Sequence, residues 1–233
     1  MDDDRVSDEI SRPPEGSVRT IAVVGTATEI GKTWAAIRLL SLARQAGLTV
    51  GARKCVQSFA AGDTGPTDAD LLAAASGESP TMVCPEHRWY SMPYAPPMAA
   101  DELGRAPIAI ADLLAEMAPS NAQLTVVETA GAIHSPIAHD ADCASFVHRL
   151  RPDGVLLVAH AGLGTLSDVR AAVEALHGSA VTVLLNRYDD GERLHQLNRA
   201  WLSERDGFDV VVDVAGLFEQ LRPWWPARRV DGR

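Results

Sequence analysis

One stretch, Ile21-Ala-Val-Val-Gly-Thr-Ala-Thr-Glu-Ile-Gly-Lys-Thr33, restricts the chain to a narrow set of folds. An apolar run ends in Gly25. A short polar loop leads to Gly31-Lys32-Thr33, and apolar residues at helical spacing follow. Strand, tight loop and helix in that order build a phosphate cradle. Glycines let backbone N–H groups approach phosphate oxygens, and the helix N-terminus adds partial positive charge. The lysine adds a point charge, and a threonine hydroxyl can ligate Mg²⁺. The spacing is not the common one: five residues separate Gly25 from Gly31, where four are usual.

The rest of the chain alternates strand and helix signals. Strands are expected at about 18–24, 49–54, 124–128, 154–159, 181–186 and 210–214. Helices are expected at 32–45, from Thr67 onward, at 98–103, 108–117 and 142–150, after Thr165, and at 191–203. The segment 77–97 holds five prolines and the aromatics Trp89, Tyr90 and Tyr94, and reads as a folded loop that lines a site. This pattern predicts a single α/β domain: a doubly wound parallel sheet of the P-loop NTPase type. Residues 18–216 form that domain. Residues 1–17 read as a disordered acidic leader, and 217–233 as an irregular tail carrying Trp224 and Trp225.

A sheet of this kind binds ligands beyond the carboxyl ends of its strands. The polar residues predicted there are those from Thr28 to Thr33, then Lys54, Ser58, Glu128, Thr129 and Asn186. The net charge of −10 argues against nucleic acid, which requires a basic face. No apolar run reaches the length of a membrane span. Three cysteines without metal-ligand spacing suit a reducing cytoplasm. Of 21 basic residues only two are lysines, Lys32 and Lys54. A compact ammonium fits tighter spaces around phosphates than a planar guanidinium does.

Phosphoryl transfer needs oxygen ligands for Mg²⁺ and cations for developing charge. Thr33, Asp68 and Glu128 can supply the first, Lys32 and Lys54 the second. The bland alternatives are Asp68 as a helix N-cap and Glu128 as a strand-end surface charge.

At this point the sequence resembles the dethiobiotin synthetases. Gly25-Thr-Ala-Thr-Glu-Ile-Gly-Lys-Thr33 is similar to that family's phosphate loop, extra residue included. Lys54-Cys-Val-Gln-Ser58, Thr67-Asp68-Ala69, Ala95-Pro96, Val127-Glu128-Thr-Ala-Gly-Ala132, Leu163-Gly-Thr-Leu166 and Leu185-Asn186-Arg187 resemble its further motifs, in its order. The resemblance implies an ATP-dependent cyclo-ligase that closes a cyclic urea from 7,8-diaminononanoate and CO₂. It implies Lys32 and Lys54 at the γ-phosphate and carbamate, and Thr28 and Ser58 orienting the carbamate. Thr33, Asp68 and Glu128 would hold Mg²⁺. Glu29, Ile30 and Gly31 would help to seat ATP, and Asn186 would read adenine. It also implies a homodimer.

The chain departs from the family at Cys55, Thr129, Ala132, Ser167 and Asp168. The added Cβ atoms at Thr129 and Ala132 are expected to narrow the substrate side. Asp168 would repel a substrate carboxylate at the helix it opens, unless Thr165-Leu-Ser-Asp168 is a capping box. A related ligase with another amine or carboxylate substrate therefore stays open. So does a nucleotide-switch ATPase of the partition and cell-division type. Those proteins usually carry a second lysine inside the phosphate loop, and Thr26 to Glu29 contains none.

Overall fold

The computed structural model describes residues 18–224; the acidic leader and the end of the tail lie outside them. Six strands form one sheet: β1 (Arg19–Gly25), β2 (Val50–Lys54), β3 (Leu124–Glu128), β4 (Gly154–His160), β5 (Val181–Asn186) and β6 (Asp209–Val211). Their order across the sheet is β6-β5-β4-β1-β3-β2, and every neighbouring pair is parallel. The chain steps outward to one edge and then crosses back over β1 to the other side. The doubly wound sheet predicted from the alternation is the one observed.

Alternation along each strand assigns the two layers. Ile21, Val23, Leu156, Val158 and Leu184 face helices α1 (Lys32–Gln45), α2 (Asp68–Ser76) and, from the chain's end, Val214–Leu221. Ala22, Val24, Val155, Leu157, Val183 and Leu185 face the opposite layer of α-helices. Strands buried on both sides read as continuous apolar runs because no face meets water. A third cluster, with Cys55, Tyr90, Ile110, Leu113 and Phe146, packs under the loops at the carboxyl end. It includes helices α3 (Pro96–Glu102), α4 (Ile110–Glu116) and α5 (Cys143–Leu150).

The folded-loop expectation for 77–97 has a physical basis. Gln57–Ser58 pairs with Trp89–Tyr90 in a two-stranded ladder, and the Arg105 guanidinium lies 4.5 Å from the Tyr90 ring centroid. Arg105 also donates to the carbonyls of Trp89 and His87. Helix α6 (Thr165–Ala175) and helix α7 (Arg193–Ala200) complete the second layer.

Two local expectations need correction. The strand expected at 210–214 ends at Val211. Asp213 accepts from the Gly216 N–H at 2.6 Å and caps helix α8 (Val214–Leu221). The run Val210-Val-Val212 hid that cap, and Leu217, Phe218 and Leu221 pack into the core rather than trailing off. The capping box at Thr165 is not formed either. Gly164, with φ 96°, stands at the N-cap position, and Thr165 Oγ1 donates instead to the His160 carbonyl at 2.6 Å. Asp168 Oδ2 lies 3.5 Å from His160 Nε2.

Candidate active site

The loop after β1 is held by contacts that only glycine permits. A Cβ on Gly25 would stand 2.7 Å from Ile30 Cγ2. Gly31 has φ 104°, and a Cβ there would stand 2.2 Å from Asn186 Nδ2. Asn186, at the end of β5, donates from that amide to the Ile30 carbonyl at 2.8 Å. Its Oδ1 accepts from the Arg187 N–H at 3.0 Å. The loop is thus clamped from below by a residue 155 positions after Gly31 in the chain. Glu29 adopts a left-handed φ of 57°, a conformation that non-glycine residues reach only where surroundings enforce it.

Strand register builds the charged centre. Lys54 and Glu128 are the last residues of β2 and β3 and are directly paired in the parallel ladder. Lys54 Nζ therefore meets Glu128 Oε1 at 2.6 Å. It also meets Asp68 Oδ2 at 2.6 Å. Thr33 Oγ1 lies 2.9 Å from Asp68 Oδ1 and 3.0 Å from Glu128 Oε1. One hydroxyl carries one proton, so it donates to only one of these at a time. Lys32 Nζ approaches the Ala27 carbonyl at 3.4 Å.

Asp68 is not a helix cap. Thr67 caps α2 by accepting from the Asp70 N–H, and Asp70 closes the box by accepting from the Thr67 N–H. Asp68 is thereby left to face Lys54 and Thr33. Gln57, which the sequence reading passed over, fixes this arrangement. Its Oε1 accepts from the Ala69 N–H at 3.0 Å and its Nε2 donates to Thr67 Oγ1. The spacing Thr67-x-x-Asp70 was the signal that identifies the true cap.

Electrostatics follow from burial. Glu128 is 1% exposed and Lys54 is 3% exposed. Burial alone would lower the Lys54 pKa, but Glu128 and Asp68 beside it raise it well above the ordinary value. Burial works against the charged form of Asp68, and Lys54 outweighs it, aided by the Thr33 hydrogen bond, so Asp68 stays below the usual carboxylate range. Lys32 is held below the ordinary lysine value by burial and by the positive charge of Lys54. Glu128 Oε2 is buried without a hydrogen-bond partner. Two carboxylates and a hydroxyl converge here with oxygens 2.9 and 3.0 Å apart. Hard oxygen donors of this kind are those that Mg²⁺ takes. The donor set fits that ion.

These groups line one cavity of about 670 Å³. Thr28, Glu29, Gly31, Lys32, Thr33, Lys54, Ser58, Asp68 and Glu128 all face it. Ile30 and Asn186 do not; they stand behind the loop and brace it. Phe59, Asp63, Pro93, Tyr94 and Ala95 close the far side. Ser58 Oγ donates to the Tyr94 carbonyl at 2.7 Å, tying the two walls. Thr129 points away from the cavity, with its hydroxyl 3.4 Å from the Val23 carbonyl. Ala132 is not part of the lining either. The expected narrowing by these two side chains therefore does not occur. Nearby, His134 meets Asp142, His139 meets Asp101, and the Cys143 thiol donates to the Ala130 carbonyl. Among the described residues no helix is long and apolar enough to cross a membrane.

Comparison with known proteins agrees with this geometry. Residues 19–214 match the family model described as an AAA domain. The ATP-dependent dethiobiotin synthetase of Methylobacterium nodulans is 34% identical over 174 residues, covering 70% of this chain and 76% of that protein. The enzyme of the same name from Anaeromyxobacter sp. is 36% identical over 170 residues, 71% of this chain and 74% of that one. Among solved structures, a plasmid partition protein of Borrelia burgdorferi bound to AMPPNP superposes with a TM-score of 0.52 over 92% of this chain and 93% of its own. At 10% identity that likeness speaks for the fold alone. The enzymes matched over three quarters of their length carry more: this chain is an ATP-dependent ligase and belongs to the dethiobiotin synthetase family.

Proposed function

We propose that the chain closes the cyclic urea of dethiobiotin from 7,8-diaminononanoate, CO₂ and ATP. The observation that carries this reading is the convergence of Lys32, Lys54, Thr33, Asp68 and Glu128 on one cavity beside the phosphate loop. One amine of the diamine adds to CO₂ and loses a proton, giving a carbamate. A carbamate oxygen attacks the γ-phosphorus and ADP leaves, which forms a carbamoyl-phosphate mixed anhydride. The second amine then attacks the carbamate carbon; phosphate departs, a proton is released and the ring closes.

Each residue has a defined task in this scheme. Lys32 neutralises β- and γ-phosphate oxygens together with the backbone N–H groups of Thr28 to Thr33. Lys54 stabilises the anionic carbamate and the transferring phosphoryl group. Ser58 keeps lone pairs for an amine N–H while its proton binds the Tyr94 carbonyl. Thr28, exposed on the cavity rim, orients the carbamate. Glu29 lies on the nucleotide side of the same rim. Thr33, Asp68 and Glu128 hold Mg²⁺, which when bound offsets charge on the phosphates. Asn186, behind the loop and outside that cavity, retains a second amide hydrogen and a second lone pair with which to read adenine from that side.

Phosphate release from ATP plus bicarbonate, measured with and without the diamine, tests this. Diamine-dependent release is the expected result. A rate indifferent to the diamine, at concentrations that saturate the relatives, removes the diamine as substrate. Asp168, in the first turn of α6 beside His160, is not part of the cavity lining, as Thr129 and Ala132 are not.

A homodimer is part of this proposal. Leu194, Leu197 and Trp201 form one exposed stripe along α7 and its continuation. Asn198 on the same helix donates to the Ala161 and Gly162 carbonyls, which docks the 86%-exposed Leu163 beside the stripe. Trp201→Glu is expected to raise the dimer dissociation constant at least about 30-fold in sedimentation equilibrium. An unchanged constant moves the interface elsewhere.

A further inference from the structure

The carboxylates proposed for Mg²⁺ already hold a cation, and it belongs to the protein. Lys54 Nζ lies 2.6 Å from Asp68 Oδ2 and 2.6 Å from Glu128 Oε1, so one ammonium bridges both carboxylates. Lys32, the other lysine of the chain, contacts the Ala27 carbonyl and neither carboxylate. Glu128 is 1% exposed, and water does little to screen it from Asp68. Without a positive charge between them the two carboxylates repel each other. A divalent ion held by Thr33, Asp68 and Glu128 would stand against the Lys54 ammonium at close range. Glu128 Oε1 is common to both sets and cannot serve both cations, whereas Asp68 turns a different oxygen to each. Glu128 Oε2 is buried without a hydrogen-bond partner among the described residues, so this carboxylate has a second oxygen to offer a metal. Lys54 also lines the cavity, so its stem has space to turn into once the carboxylates release it.

We infer that Lys54 is a built-in counter-ion that keeps the metal ligands assembled in the unloaded enzyme and is expelled toward the cavity when the metal binds. The metal's arrival thereby frees the positive charge that the carbamate and γ-phosphate require. A site loaded with ATP but no metal keeps Lys54 on the carboxylates and unavailable to the reacting oxygens. This inference rests on the metal site proposed above.

Lysine scarcity makes the test direct. Protein labelled with ¹³C only in lysine gives two side-chain resonance sets, one for Lys32 and one for Lys54, assigned with Lys32→Met. Nucleotide-free protein is titrated with MgCl₂ at constant ionic strength, and the melting temperature is followed in parallel. The Lys54 Cε–Hε signal is expected to shift progressively as Mg²⁺ saturates the protein, with a smaller response at Lys32. Lys54→Met is expected to melt lower without metal and to bind Mg²⁺ at least about tenfold more tightly than the parent, because no resident charge has to be displaced. A Lys54 signal that stays fixed while Mg²⁺ raises the melting temperature overturns the inference and leaves the metal site standing. No response to Mg²⁺ in either the signal or the melting temperature, with or without a non-hydrolysable ATP analogue, overturns the metal site and the inference together. The titration of the parent protein decides the matter even if Lys54→Met does not fold.

Discussion

Lys32→Met is expected to lower ATP turnover on the order of 10²–10³-fold while leaving the melting temperature within a few degrees of the parent. The reason lies in how the ammonium is placed. Lys32 is 7% exposed, and among the described residues no carboxylate forms an ion pair with it. Its one hydrogen bond, to Ala27, is long at 3.4 Å. Burial and the neighbouring Lys54 charge both disfavour its protonated form. A group held in that state gives little to folding and much to an arriving phosphate, which restores its missing counter-charge. Methionine keeps the stem packed against α1 and the loop, so only the charge is lost. Calorimetric ATP affinity and steady-state turnover check the prediction. Undiminished values of both would remove the loop as the nucleotide site.

Arg53→Met acts in the opposite sense, costing stability rather than chemistry. Arg53 precedes Lys54 on β2 and, by strand alternation, projects to the other face of the sheet edge. It is 3% exposed and donates to the Ala118 and Pro119 carbonyls, to the Ala52 carbonyl and to Glu78. Glu78 in turn accepts from the Ala52 N–H at 2.8 Å. One guanidinium thus ties β2, the second residue after α2 and the chain beyond α4 together. Its removal leaves Glu78 without its cation and three carbonyls without their donor. The expected loss is about 3–5 kcal/mol. For a domain of this size that lowers the melting temperature by about 10 °C. Differential scanning calorimetry measures it, and a shift below about 2 °C would show that water replaces the guanidinium.

The central part of the fold was legible because each signal had a single physical cause. Continuous apolar runs such as Gly154–His160 occur where a strand is buried on both faces, and Gly-Lys-Thr before a helical pattern fixes where β1 ends and α1 begins. Glu128 and Lys54 were legible as candidates because charges at the ends of buried strands are costly without a partner, and the fold brings the two together. Contacts between distant segments were not legible. Nothing local marks Asn186 as the brace under Gly31, since both its partners lie in a loop built by other residues. Gln57 was invisible for the same reason. Asp213 was hidden by the valines around it, and Thr165 matched a capping pattern that Gly164 displaced by adopting a left-handed φ. Local patterns carry local structure; the side chains that hold one element against another are specified only by the assembled fold.

The ladder that sets Lys54 opposite Glu128 also divides what can vary in this enzyme from what cannot. Their spacing is inherited from two backbones, and no side-chain change adjusts it. Adding or deleting one residue in β2 or β3 would turn one partner to the wrong face and silence the centre. The walls at Phe59 to Pro66 and Pro93 to Pro96 are loops, free to lengthen, shorten or change chemistry without disturbing that pair. New substrate preferences in this lineage are therefore to be sought as loop insertions and exchanges around an unaltered strand-end pair, which makes the two segments natural targets for recombination between relatives.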